Sequence, residues 1–139
     1  MSTGGTNSPE RFVRLPTTGP SSAILVADDD WLVADSLAMI LKQHGYRVRT
    51  VYSGEEAVQA ATEMRPDYLI SDICMYGISG IDAAQLICDR LPACKVILTS
   101  GHIEAEELLE AARHEGQEYE CLRKPFHPDV LLRRLQARL

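Results

Sequence analysis

The sequence predicts an α/β protein: a doubly wound, five-stranded parallel sheet covered by five helices and folded as one domain. Three observations predict it. Five short apolar runs recur along the chain, helical apolar periods fill the intervals between them, and three of the runs are apolar at every position. Continuous apolarity marks strands whose two faces are both covered by helices. A length of 139 residues suits one core and leaves no room for a second.

The elements follow in order. Residues 1–22 hold fourteen Gly, Pro, Ser or Thr, including Pro9, Pro16 and Pro20, and are expected to form a flexible tail before a domain spanning 23–139. The first strand is Ile24-Leu25-Val26-Ala27. A helix follows with Val33, Leu37, Ile40, Leu41 and His44 on one face, capped by Asp30 and stopped by Gly45. Tyr46 to Val51 form the second strand, where Arg47 and Arg49 mark a sheet edge. The next helix turns Ala57, Ala61 and Met64 inward between an N-cap at Ser53 and Pro66. Tyr68-Leu69-Ile70 is the third strand, followed by a stripe of Ile81, Ala84, Ile87, Cys88 and Leu91. Val96-Ile97-Leu98 is the fourth, followed by Ala105, Leu108, Leu109 and Ala112. Tyr119 to Leu122 is the other edge strand, before a final helix with Leu131, Leu132, Leu135 and Leu139. Right-handed crossovers join such units.

Composition excludes several functions. Fourteen basic and twenty acidic side chains give a net charge of -6, and no Lys/Arg stripe could track a phosphate backbone, so direct nucleic-acid binding is not expected. No apolar stretch approaches the ~20 residues of a membrane span, and the N-terminus lacks a signal core, so the protein is expected to be soluble and cytoplasmic with no membrane partner. Cys74, Cys88, Cys94 and Cys121 form no CxxC pair and read as reduced, packed thiols.

Ligands of such sheets bind beyond the carboxyl ends of the strands. The first strand ends in Asp28-Asp29-Asp30, the third in Asp72, the fourth in Thr99-Ser100-Gly101 and the fifth in Lys124-Pro125. A lone Asp after a strand is more often a helix cap than a catalyst, but acids, a hydroxyl and an ammonium converging on one rim exceed what capping requires. Two carboxylates ~4 Å apart repel by about 4 kcal/mol at an effective dielectric of 20, so Asp28, Asp29 and Asp72 together call for a cation or for shifted pKa values, and a hard divalent ion is the economical answer. Their oxygen-only donor set suits Mg2+, and Cys74 can add its backbone carbonyl. A carboxylate nucleophile beside Mg2+, a lysine and a hydroxyl is the equipment of phosphoryl transfer to aspartate, with Asp72 as nucleophile.

The segments ILVADDD, SDICMYGISG, VILTSG and LRKPF stand in the order and spacing of the receiver domains of two-component response regulators, which the chain resembles from Ala23 to Leu139. The resemblance implies a flavodoxin-like strand order of 2-1-3-4-5. It implies that Asp72 accepts a phosphoryl group from a sensor histidine kinase or a histidine phosphotransfer protein. By the same resemblance Asp29 binds Mg2+ directly, Asp28 helps to hold the ion or its waters, Ser100 binds a phosphoryl oxygen and Lys124 pairs with the phosphoaspartate. Ser100 is preferred to Thr99 because the family's hydroxyl is usually followed by a small residue, here Gly101. Such a domain is a signalling module and no conventional enzyme, catalysing only its own Mg2+-dependent phosphorylation and dephosphorylation. Its output surface is the side formed by the fourth helix, fifth strand and fifth helix; an output protein and a homodimer are the partners this implies. With no output segment before the end at Leu139, a stand-alone receiver is expected.

Several residues depart from the family pattern. Tyr76 stands where receivers usually have Pro, although Gly80 falls where expected. Cys121, three residues before Lys124, replaces an aromatic that reports phosphorylation in many members. Tyr119 points to the same side of the strand and is a candidate substitute for that aromatic, although it is expected instead to pack or to lie at the strand's start. Cys74 and His102 stand two residues past Asp72 and Ser100, where the family varies groups that control the hydrolytic water; His102 reads equally as a solvated loop residue. Cys121 and Tyr76 motivate an alternative, a pseudo-receiver acting only as an interaction module. A haloacid-dehalogenase-like phosphatase using Asp28 in a D-x-D motif is a further alternative, against which stand Leu32, the missing acidic pair after the fourth strand and the missing cap segment.

Overall fold

The computed structural model describes residues 22–136. Strands and helices alternate throughout: β1 (Ala23–Ala27), α1 (Trp31–Gln43), β2 (Arg47–Val51), α2 (Gly54–Met64), β3 (Tyr68–Asp72), α3 (Gly80–Arg90), β4 (Lys95–Ser100), α4 (Ile103–His114), β5 (Glu120–Arg123) and α5 (Pro128–Gln136). All strand pairs are parallel and the sheet order is β2-β1-β3-β4-β5, the fold class and order expected. The expected tail lies outside the described residues except for Ser22, which is buried and accepts the Arg47 N–H. Leu139 also lies outside them.

The sheet divides the core by side-chain alternation. Ile24, Val26, Ile70, Ile97 and Leu122 face α1 and α5, meeting Ala34, Leu41, Leu131, Leu132 and Leu135. On the opposite face, Leu25, Ala27 and Leu69 meet Ala57, Ala60 and Ala61 of α2 and Ala84 and Ile87 of α3. Leu98 packs with Ile81, Ala105 and Ala112 towards α3 and α4. Each fully buried Ile or Leu contributes about 1.5–3 kcal/mol. Because β1 and β3 are buried at all positions, β1 and the first three residues of β3 read as unbroken apolar runs. Edge strand β2 alternates instead, ending on buried Val51.

Side-chain caps fix where α1, α2 and α3 begin relative to the strand before each. Asp30 accepts the N–H groups of Leu32 and Val33 at 3.1 and 3.4 Å. Ser53 accepts the Glu56 N–H at 3.1 Å, and Ser79 the Asp82 N–H at the same distance. These bonds satisfy donors that the first helical turn leaves open.

Local expectations are corrected in three places. Helix α1 buries Ala34, Ala38 and Leu41, with Leu37 and Ile40 half-buried, while Val33 and His44 are exposed. The small alanines let the helix axis approach the sheet, turning the buried stripe away from the larger side chains. In α4 only Ala105 and Ala112 are buried, and Leu108 is exposed. Tyr46 and Tyr119 lie just before β2 and β5 and pack their rings without joining the ladder.

Candidate functional site

The carboxyl ends of β1, β3, β4 and β5 form one rim. Asp28 is buried; its Oδ1 accepts the Asp30 N–H at 3.0 Å and its Oδ2 accepts from Lys124 Nζ at 2.8 Å. Asp29, the next residue, is the most exposed of the site's acids. Asp72 ends β3 at 5% exposure. Its Oδ1 lies 3.6 Å from Lys124 Nζ, too far for a hydrogen bond, and is a buried oxygen with no hydrogen-bond partner. Asp28, Asp29 and Asp72 each bring one carboxylate oxygen within 4.8 Å of the others.

This arrangement is electrostatically unbalanced. Burial pushes the Asp72 carboxyl up to about 6; the Asp28 charge adds to the shift, Lys124 opposes it and Asp29 adds again. Burial pulls Lys124 down, but its hydrogen bond to Asp28 and the charges of Asp72 and Asp28 more than offset this, leaving it raised and fully charged. One ammonium thus faces two of the three carboxylates, Asp28 and Asp72. An all-oxygen donor set with an orphaned buried oxygen fits a hard divalent cation such as Mg2+.

Lys124 is held from behind, its N–H donating to the Ser100 carbonyl at 2.7 Å. Adjacent hydroxyls at the end of β4 fall on opposite sides of the sheet. Thr99, paired in register with Asp72, lines a cleft with Asp28, Asp72 and Lys124. Ser100, the next residue along the strand, faces the other way, on the side of Cys121, whose thiol contacts the Leu122 carbonyl at 4.0 Å and is pushed up by burial. The Cys74 thiol is also pushed up, first by burial and then by the Asp72 charge. Its side chain packs against the α3–α4 cluster, leaving the backbone carbonyl as the group it can offer an ion. His102 occupies the N-cap position of α4 but makes no side-chain cap bond and is exposed.

Two contacts were not legible in the sequence. Lys124 makes its direct hydrogen bond to Asp28 rather than to Asp72. Glu55, at the start of α2, accepts the Ile78 N–H in the loop after β3 at 3.1 Å. The only local hint is Gly54 directly after the Ser53 cap, and nothing in the sequence ties it to a loop more than twenty positions away.

A doubly wound sheet with acids just after β1 and at the end of β3 and a lysine after β5 has the layout of a receiver-type signalling domain. The family model for the response regulator receiver domain matches residues 24–136, and the chain belongs to that family. It is 28% identical over 121 residues to the probable transcriptional regulatory protein TcrX of Mycobacterium tuberculosis, covering 87% of this chain and 51% of that protein. It is 37% identical over 116 residues to the transcriptional regulatory protein PdtaR of the same species, covering 80% and 55%. The chain thus spans about half the length of these curated relatives. Among solved structures, a response regulator receiver domain protein from Clostridium thermocellum is similar with a TM-score of 0.72 and 29% identity, over 84% of this chain and 95% of that one. Receiver domains bind Mg2+ through an aspartate cluster such as this and interact with histidine kinases or phosphotransfer proteins. Among the described residues, no helix is long and apolar enough to cross a membrane.

Proposed function

We propose that the chain is a phosphorylatable receiver whose phosphoacceptor is Asp72, charged by a sensor histidine kinase or a histidine phosphotransfer protein in the cytoplasm. The observation that carries this reading is the buried, unpartnered Asp72 Oδ1 beside Lys124 in the acidic cluster. With its pKa at about 6, Asp72 is mostly ionised at neutral pH and its oxygen is available as a nucleophile. That oxygen attacks phosphorus, the P–N bond to the donor imidazole breaks, and the bonding pair stays on the imidazole nitrogen. Asp28, Asp29, Asp72 and the Cys74 carbonyl would hold Mg2+, which when bound supplies positive charge to the transferring oxygens. Lys124 pairs with the new phosphoaspartate, and a hydroxyl at the end of β4, Ser100 by the family pattern, donates to a phosphoryl oxygen. Thr99 is the competing hydroxyl because it shares the Asp72 side of the sheet. The Ser100→Ala and Thr99→Val variants separate them: the true ligand's loss slows labelling.

Output through α4, β5 and α5 to a protein partner, or to a second copy, is part of the same reading. With Cys121 at the usual aromatic position, it does not depend on a swinging ring. The stand-alone expectation rests on where the chain ends and forms no part of it. Asp30 is occupied as the α1 cap, which leaves a D-x-D phosphatase motif without its second free acid.

The deciding experiment is incubation with Mg2+ and acetyl phosphate, followed by mass spectrometry of the adduct. Label on Asp72 supports the proposal and Asp72→Asn abolishes it. An unlabelled protein is a pseudo-receiver, and label on Asp28 reinstates the phosphatase reading.

A further inference from the structure

We propose that Glu55 is a positioning residue for the phosphoacceptor site: it braces the β3–α3 loop that carries Cys74, in place of the proline that this chain lacks at Tyr76. The inference rests on the receiver reading above and adds a residue to it. The loop leaves β3 at Asp72 and enters α3 at Gly80. Its two ends are fixed by backbone bonds, Ile73 N–H to the Thr99 carbonyl at 3.0 Å and Gly80 N–H to the Ile73 carbonyl at 2.8 Å. Tyr76, near the middle, is 84% exposed, so its ring anchors nothing.

The start of α2 grips the loop there instead. Glu55 Oε2 accepts the Ile78 N–H at 3.1 Å. Both Glu55 carboxylate oxygens also sit directly over Gly77, where a Cβ would collide with them and where φ is +78°, a conformation that favours glycine. Gly54 completes the grip: a Cβ on it would come within 2.5 Å of Ile78 Cγ1 and 2.7 Å of the Ile78 carbonyl. Helix start and loop therefore meet at van der Waals contact, and the carboxylate closes over the join. Glu55 is outside the acidic cluster and acts on the site through the loop backbone, by fixing where the Cys74 carbonyl sits relative to Asp72.

The test is an NMR titration of the full chain with Mg2+, following amide shifts, with hydrogen exchange of residues 74–79 measured in parallel. Glu55→Ala is expected to weaken Mg2+ binding about tenfold, the low end for residues that orient a metal site from behind. It should also speed exchange at Ile78. Glu55→Gln keeps an oxygen acceptor for the Ile78 N–H and is expected to restore affinity to within about twofold of the parent. Glu56→Ala removes an acid from the same helical turn, one that bonds Tyr52 N–H and not the loop, and should leave affinity unchanged. An unchanged dissociation constant in Glu55→Ala, or a Gln variant as weak as Ala, overturns the proposal. A parent protein that shows no Mg2+-dependent shifts overturns the receiver reading itself, a result distinct from either.

Discussion

Asp72 should destabilise the ion-free protein, and by an amount set by pH. Its carboxyl is shifted from 3.8 to about 6 on folding. At 1.36 kcal/mol per pKa unit, this is a penalty of up to about 3 kcal/mol. The sign follows from the raised folded pKa. Below pH ~4 the group is protonated in both states and the penalty is absent; it grows between pH ~4 and ~6 and is complete above. Asp72→Asn is neutral at every pH and nearly isosteric, so the difference in stability between variant and parent isolates this group. In chelator, the variant should match the parent near pH 4 and exceed it at pH 7.5 by up to about 3 kcal/mol, or roughly 10 °C in Tm for a domain of this size. Added Mg2+ should narrow the gap by binding the parent's folded state. Thermal denaturation at four pH values, with and without Mg2+, reads all of this. A pH-independent difference, or a variant less stable than the parent at pH 7.5, refutes the reasoning.

Two further substitutions probe the same rim. Lys124→Ala removes the ammonium facing Asp28 and Asp72, so the Asp72 pKa should climb further above about 6, as followed by carboxyl carbon shifts, while labelling of Asp72 persists with a weaker structural response. Gly80→Ala places a methyl against the Asp72 carbonyl and the Ser71 hydroxyl, a backbone collision that should cost about 1–3 kcal/mol in a urea titration and lower labelling by displacing Asp72.

The fold was legible because burial leaves a periodic trace. β1 and β3, covered on both sides, can hold only apolar residues over most of their length, and the caps at Asp30 and Ser53 announce the helices that follow. The convergence of Asp28, Asp29, Asp72 and Lys124 was legible from the rule that strand ends in such sheets share one rim. What was hidden depends on close approach. In α1, periodicity favours the bulky stripe through Val33, whereas packing on the sheet favours alanine, so the true face is turned round by one residue. The Glu55 grip joins segments by geometry alone and leaves no periodic signature. Neither does the division of Thr99 and Ser100 between two faces indicate which hydroxyl the chemistry uses.

The turn from β1 into α1 spans only Asp28 to Asp30, and these identical side chains do three different jobs. One partners a lysine, one stands at the solvent edge and one caps a helix. Because one backbone direction hands out all three roles, the segment has no slack. Deleting or inserting a single residue there would rotate every assignment by one place while leaving the composition almost unchanged. Frame, rather than acidity, is what natural variation at this turn has to preserve.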